Sequence, residues 1–296
     1  MTHYSDHILH KIIDGKKLAN QLCTSVSTEI NQLTNHQKIV PGLAVIMVGD
    51  NPASHIYVQN KQKKAKELGI NSFHYPLAMT TSEMELLHLL DQLNHDPNVH
   101  GILVQLPLPD HIDPHKIIEH IHPDKDVDGF HSRNMGLLAL GKKELVPCTP
   151  LGCLKLLKHF LGNLSGKKSV IIGRSNIVGK PMALLLLQEN CTVTITHSYT
   201  QNLAQECQQA DIIIAAIGKP NFVKAEWVKE NSVIIDVGIN RISNENNKSI
   251  IVGDVDFSNV VDKVQAITPV PGGVGPMTIA CLMHNTLQAY KKQLSI

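Results

Sequence analysis

Apolar positions along the chain follow two periods in alternation. Leu18, Leu22, Val26, Ile30 and Leu33 recur at the spacing of one helix face, with Asp14 placed to cap that helix. Leu43 to Val48 is an unbroken apolar run, the pattern of a buried strand. Gly49-Asp-Asn-Pro52 is its turn, and Pro52 opens a helix predicted to reach about Leu68, where Gly69 closes it. Ile70 to Tyr75 reads as a second strand. Thr80 and Ser82, each with a glutamate three residues on, offer capping boxes for a helix ending before Pro97. Val99 to Leu106 is a third strand, followed by Pro107-Leu-Pro109 and a short helix at about 114–120.

The alternation continues beyond Pro147-Cys-Thr-Pro150. A helix carries Leu151, Leu154, Leu157, Phe160 and Leu161; strands are predicted at 170–172, 191–196, 211–217, 232–239 and 265–268; a Gly- and Pro-rich loop spans 269–278, and a last helix runs to about Lys291. Alternating helices and strands predict an α/β fold with parallel sheets. The predicted division is an α/β domain at 1–148, with 279–296 packing back on it, and a Rossmann-type dinucleotide-binding domain at 149–278. Ligands of such sheets sit beyond the carboxyl ends of the strands, where Asp50, Ser54, Gln105 and the acidic loop 124–128 lie.

The segment 168–187 is a strand, a turn at Gly173 and a helix with Pro181 near its first turn, the arrangement that offers free N–H groups to a pyrophosphate. It departs from G-x-G-x-x-G: Ser175 stands in the second glycine's place and Gly179 is displaced. An ordinary strand-to-helix turn is the alternative. The next strand ends Thr194-Ile-Thr-His-Ser198-Tyr-Thr200 without the carboxylate that binds ribose hydroxyls in NAD sites. Arg174 and the Ser198 hydroxyl suit a 2′-phosphate instead, so NADP is expected over NAD. The plainer reading makes Arg174 the cap of a surface loop.

Composition narrows the field. A chain of 296 residues at 43% hydrophobic has room for two cored domains, and a net charge of +1 argues against a nucleic-acid or membrane partner. Arginine occurs only at 133, 174 and 241, so one of the three sits in the phosphate turn. Met1 to Lys11 is polar, without signal or transit character, and no apolar run approaches membrane-spanning length. The six cysteines form no C-x-x-C pair and read as buried thiols of a reducing cytoplasm. Seventeen histidines invite a metal hypothesis, but Pro114 separates His111 from His115 and no carboxylate–histidine set lies near His120 and His122. A solvated histidine-rich surface, with no metal, is expected.

Tyr57 and Lys61 share a helix face beside the first sheet's carboxyl edge. A lysine in a partly apolar cleft loses proton affinity and serves as a general acid or base; the alternative is a snorkelling surface lysine. Lys63, Lys64 and Lys66 read as a solvated face. Gln105, between Val104 and Leu106, either satisfies a buried neighbour or faces a ligand. Asp124, Asp126 and Asp128 before Gly129 suggest a calcium loop, yet the terminal glutamate is missing; a carboxylate aimed at a nitrogen-rich heterocycle is the other reading.

Tyr57-Val-Gln-Asn-Lys61 preceded by Ser54, Gly101-Ile-Leu-Val-Gln-Leu-Pro-Leu-Pro109, Asp124-Lys-Asp-Val-Asp-Gly129, Pro147-Cys-Thr-Pro150, Gly173-Arg-Ser-Asn-Ile-Val-Gly-Lys-Pro181, Asp236-Val-Gly-Ile-Asn240 and Pro269-Val-Pro-Gly-Gly-Val-Gly-Pro-Met-Thr278 together resemble the bifunctional methylenetetrahydrofolate dehydrogenase/methenyltetrahydrofolate cyclohydrolases. The resemblance covers about residues 40 to 280 in the family's order. It implies two α/β domains flanking a cleft, oxidation of 5,10-methylenetetrahydrofolate with NADP+, and hydrolysis of the methenyl product to 10-formyltetrahydrofolate, a one-carbon step that serves purine biosynthesis. It makes Lys61 essential to hydrolysis, with Gln105 orienting it, Tyr57 stacking on the folate and Asp128 holding the pterin's amino edge. Ser54, Pro271, Gly272, Gly273 and Thr278 fall to the substrate; Gly173, Arg174, Ser175, Ile177, Ser198, Thr149 and Ile239 fall to the cofactor. Relatives commonly carry a basic residue where this chain has Tyr199, which leaves Arg174 most of the 2′-phosphate. A cytoplasmic homodimer formed through the second domain is also implied; polyglutamate preference stays open. Two other readings remain: a dehydrogenase lacking the hydrolytic step, and a non-catalytic dinucleotide-binding module.

Overall fold

A computed structural model describes residues 6–37, 39–142, 144–243 and 249–296. The first five residues of the polar N-terminal stretch therefore lie outside the described residues. The chain divides into two compact units. One comprises Asn20–Cys148 and Ile279–Ile296, the other Thr149–Thr278 and the chain up to Ala19.

A short helix α1 (Asp6–Leu9) precedes α2 (Gly15–Gln37), whose first turn is held by Lys17 N donating to Asp14 Oδ1 at 3.0 Å. There follow β1 (Gly42–Val48), α3 (Pro52–Glu67), β2 (Asn71–Leu77), α4 (Glu83–His95), β3 (Gly101–Val104), α5 (Pro114–His120) and α6 (Ser132–Ala139). The three strands form a parallel sheet in the order β2-β1-β3. β1 is central and buried at every position, which is why its sequence is continuously apolar rather than alternating. Ile46, Ile102 and Val104 pack with Leu86 and Leu90 of α4 in one core. Of the two candidate capping boxes, α4 uses Ser82, whose N–H donates to Glu85 Oε2 at 2.7 Å while its Oγ accepts from Glu85 N at 3.3 Å.

The second unit contains α7 (Cys148–Leu161), β4 (Lys168–Ile172), α8 (Gly179–Gln188), β5 (Thr192–Thr196), α9 (Leu203–Gln208), β6 (Ile212–Ala215), β7 (Val233–Asp236), the hairpin β8 (Asn240–Ser243) and β9 (Ser249–Val252), α10 (Phe257–Val260) and β10 (Ala266–Ile267). Its five-stranded sheet is parallel throughout, in the order β10-β7-β6-β4-β5. β5 and β6 follow β4 in sequence but lie on its two opposite sides. The strand order therefore reverses at the carboxyl end of β4, where open α/β sheets bind ligands. This is a doubly wound, Rossmann-type arrangement.

The structure differs from the sequence reading in places. β3 stops at Val104, so Gln105 lies just past the strand rather than inside it, though its N–H still donates to Ile46 O at 2.8 Å. The strand expected over 232–239 ends at Asp236, because Gly238 N–H turns back onto the Asp236 carboxylate at 3.0 Å; the chain then enters the β8–β9 hairpin, which was not expected. The last helix, α11 (Val274–Leu294), begins inside the expected Gly-Pro loop. Pro276 falls in its first turn, where a missing N–H costs no hydrogen bond. Residues preceding Ala19 fall with the second unit, since Ile13 N donates to Ile267 O at 3.0 Å and Ile267 N to Lys11 O at 2.8 Å, extending the sheet past β10. Among the described residues no helix is long and apolar enough to cross a membrane.

Candidate functional site

In α3, Ser54, Val58, Lys61 and Ala65 form one buried stripe at helical spacing. Lys61 is thus a lysine in a core position, only 8% exposed, whereas Lys63 and Lys66 face solvent and Lys64 pairs with Glu67 at 2.6 Å. Lys61 Nζ donates to Gln105 Oε1 at 3.0 Å. Gln105 Nε2 donates in turn to Leu106 O at 2.6 Å, which fixes the amide with its oxygen toward the lysine. Both readings of Gln105 are thereby joined, since the group that satisfies it is the candidate catalytic amine. Tyr57, half-buried, stands one turn before Lys61 on the same helix.

The three alternating aspartates have three separate fates. Asp124 pairs with Lys292 Nζ at 2.9 Å and faces Arg133 at 3.8 Å. Asp126 is 1% exposed and turns inward, accepting from Gly129 N, His131 N and Asn134 Nδ2 at 3.1, 2.9 and 2.8 Å. Asp128 is half-buried, and desolvation pushes its carboxyl above the ordinary value while the neighbouring Lys61 charge pulls the other way. The loop is therefore not a convergent calcium site, and among the described residues no group of three or more His, Cys, Asp or Glu is arranged to hold a metal ion. Beneath Asp128, Val127 O accepts from Asn285 Nδ2 at 2.9 Å and from Cys148 Sγ at 3.2 Å, and Asn285 Nδ2 also reaches Val146 O at 2.8 Å. Burial holds the Cys148 thiol well above its ordinary value, so it stays protonated and unreactive. Gly129 is required here: its φ is +77°, and a Cβ would lie 2.6 Å from Pro147 N.

The second unit carries a cavity of about 510 Å³ at the carboxyl ends of β4, β5 and β6. Ile172 to Ser175 line it from β4; His197, Ser198, Thr200 and Leu203 from β5 and the start of α9; Ala216, Ile217, Lys219 and Phe222 from the exit of β6. Gly173 (φ +120°) makes the turn, and a Cβ there would come within 2.3 Å of Ala216 O. Ser175 has a structural task as well: its Oγ accepts from Val178 N at 3.2 Å and Gly179 N at 3.4 Å, two of the donors at the start of α8. The Arg174 guanidinium lies 5.9 Å from the Tyr199 ring centroid. The lining holds two cations, Arg174 and Lys219, and no carboxylate.

Thr149 and Thr278 meet, their hydroxyls 3.0 Å apart. Gly273 N–H donates to Pro269 O at 2.8 Å, while Pro271 is exposed and Gly272 half-buried with φ +114°. Ile177 and Ile239 are exposed at 42% and 48% and do not line the cavity.

The Tetrahydrofolate dehydrogenase/cyclohydrolase catalytic-domain model matches residues 13–128, and the NAD(P)-binding-domain model of the same family matches residues 147–294. The chain belongs to the tetrahydrofolate dehydrogenase/cyclohydrolase family. It is 54% identical over 290 residues to the bifunctional protein FolD of Zymomonas mobilis, covering 96% of this chain and 98% of that one. Its fold matches the crystal structure of the bifunctional enzyme FolD of Campylobacter jejuni with a TM-score of 0.91, at 51% identity over 95% of this chain and 99% of that one. The Trypanosoma brucei methylenetetrahydrofolate dehydrogenase-cyclohydrolase, solved with NADP cofactor and an inhibitor, matches with a TM-score of 0.93 at 35% identity, over 96% and 98% of the two chains.

Within this family frame, Lys219 and Asn285 are residues the sequence reading passed over. Lys219 carried a signal, since Gly218-Lys-Pro220 directly follows the apolar run that forms β6. Asn285 carried none: it sits in an apolar helix and meets its partners across 139 and 158 residues of chain.

Proposed function

We propose that this chain oxidises 5,10-methylenetetrahydrofolate with NADP+ and hydrolyses the resulting methenyl cation to 10-formyltetrahydrofolate. Membership in the family supports both activities. The observation that carries NADP over NAD is the cavity at the end of β4, which offers Arg174, Lys219 and Ser198 and no carboxylate. A ribose 2′-phosphate is stabilised by such a lining, whereas the acidic residue of an NAD site would repel it. Gly173, Arg174, Ser175 and Ser198 would hold the dinucleotide, which when bound supplies the hydride acceptor. Thr149, Ile177 and Ile239 are assigned to the cofactor and Pro271, Gly272, Gly273 and Thr278 to the substrate on family resemblance.

Lys61 and Gln105 manage protons in the hydrolytic step. Water adds to the methenyl carbon and gives up one proton to Lys61, which acts in this step as the neutral amine with one N–H still donated to Gln105. The carbon–N5 bond then breaks, Lys61 returns that proton to N5, and the hydroxyl proton leaves as the formyl group forms. Gln105 Oε1 orients the amine for both transfers. Asp128 accepts from the donor edge of the pterin, and Tyr57, with Ser54 on the same helix, supports its ring. The Lys61–Gln105 bond favours this reading over a dehydrogenase lacking hydrolysis, because a lysine freed from proton transfer gains nothing from burial. Tetrahydrofolate derivatives are then the partners, and a cytoplasmic homodimer formed through the second unit is the assembly proposed.

Two assays test the proposal. Methenyltetrahydrofolate supplied without nicotinamide is expected to disappear faster than its uncatalysed rate, and reduction is expected to be more efficient with NADP+ than with NAD+. Equal efficiency with both nucleotides would remove the 2′-phosphate reading.

A further inference from the structure

One wall of the β4-end cavity is the exit of β6, where Ile217 and Lys219 face the opening. The N–H groups of Ile217, Gly218 and Lys219 all turn away from it and converge on the Asp254 carboxylate at 2.7, 3.0 and 2.9 Å. Successive N–H groups aimed at one point form an anion-binding nest. Here the anion comes from the chain itself. Asn240 Nδ2 supplies a fourth donor at 2.9 Å, and Asp254 is fully buried, so no water competes.

Asp254 is itself tightly held. Its N–H and that of Val255 donate to the two Asp236 oxygens, each at 2.9 Å, and Gly238 N–H joins at 3.0 Å. Neither carboxylate has room to move: a Cβ on Gly238 would lie 2.2 Å from Asp254 Oδ1, and one on Gly253 would lie 1.9 Å from Asp236 Oδ2. The same segment backs the wall further along, with Asn221 N donating to Gly253 O at 3.1 Å and Val223 N to Asp254 O at 2.9 Å.

We infer that Asp254 is a positioning residue for the nucleotide: by gathering three backbone N–H groups it sets the 217–219 turn so that Ile217 and Lys219 face the cavity. The inference rests on the reading that this cavity takes the dinucleotide. Asp254 touches no ligand-facing surface itself and acts through the turn.

Asp254→Asn keeps the shape but replaces one acceptor oxygen with a donor. The NADP+ KM is expected to rise roughly tenfold or more, the scale set by losing hydrogen bonds to a buried charge. kcat at saturating NADP+ and hydrolysis of supplied methenyltetrahydrofolate are expected to hold. An unchanged NADP+ KM in the folded variant, including the case where both activities fall together, would overturn the inference and leave Asp254 a residue of general stability. Should Asp254→Asn fail to fold, Asn240→Ala removes only the fourth donor. A smaller KM rise is then expected, and no rise counts against the inference. Calorimetric titration of NADP+ separates the two levels. Wild-type protein that binds no NADP+ defeats the cofactor reading, while wild type and Asp254→Asn binding it equally well defeat only the role of Asp254.

Discussion

The two candidate sites are made of different materials. The group in the first unit is built from side chains: Lys61 from α3, Gln105 from the exit of β3 and Asp128 from a loop, with Asn285 and Cys148 holding the backbone beneath. The cavity in the second unit is shaped by a glycine turn, a helix start and a turn held by Asp254, and carries the side chains of Arg174, Ser198 and Lys219 on its lining. The difference follows from the task. A dinucleotide is taken up at one glycine turn and helix start, so a few neighbouring strand ends suffice to shape its site. Moving a proton needs particular side chains at fixed separation, and those must be gathered from distant parts of the chain.

If that division is right, substitutions in one group leave the other's work intact. Lys61→Ala is expected to lower hydrolysis at least about a hundredfold, in line with a lost proton-transfer group, with NADP+ binding unchanged by calorimetry. Loss of both together would erase the division. Asp128→Ala comes next, with the folate KM rising roughly tenfold or more and the NADP+ KM unmoved; matched rises would mean a folding defect. Arg174→Ala is expected to raise the NADP+ KM about tenfold and leave NAD+ nearly unchanged. An equal effect on both nucleotides would reduce Arg174 to a loop residue.

A last test, on stability rather than activity, sharpens the contrast between proton chemistry and structure within the first unit. His100 is buried there, and its Nδ1 accepts from Gly42 N–H at 3.0 Å, which requires the neutral ring. Burial, helped by the Lys125 charge, pushes its imidazole down to about 4. The unfolded chain takes up a proton near 6.5 and the folded chain does not, so this contribution is complete above about 6.5 and is lost as pH falls toward 4. The gap corresponds to roughly 3 kcal/mol. His100→Gln is expected to flatten the stability profile over that window in denaturant unfolding at several pH values. A profile as steep as the wild type would place the titration elsewhere. Hydrolysis at neutral pH should not follow it.

The same difference in materials decides what the sequence disclosed. The turn at Gly173 and the missing carboxylate before Thr200 are local, and both were legible. Lys61 was visible as a lysine on a helix face, but its burial and its bond to Gln105 depend on how β1 brings α3 and β3 together, and periodicity does not carry that. The acidic loop was legible only in part for a related reason: alternation placed three carboxylates close in sequence, while separate partners, Lys292 for Asp124 and Asn134 for Asp126, sent them in separate directions. Strand ends were misjudged where a side chain intercepted the ladder, as Asp236 does for β7. Asp254 stayed hidden because one aspartate in Gly253-Asp-Val255 gives no sign of three N–H groups from the turn that follows β6.

The most direct test follows reduced nicotinamide and methenyltetrahydrofolate together after mixing the protein with 5,10-methylenetetrahydrofolate and NADP+. The expected result is reduction with little build-up of the methenyl cation, each step removing the product of the one before. Reduction with methenyl accumulating and decaying only at its uncatalysed rate would contradict a working Lys61–Gln105–Asp128 site and leave a dehydrogenase alone.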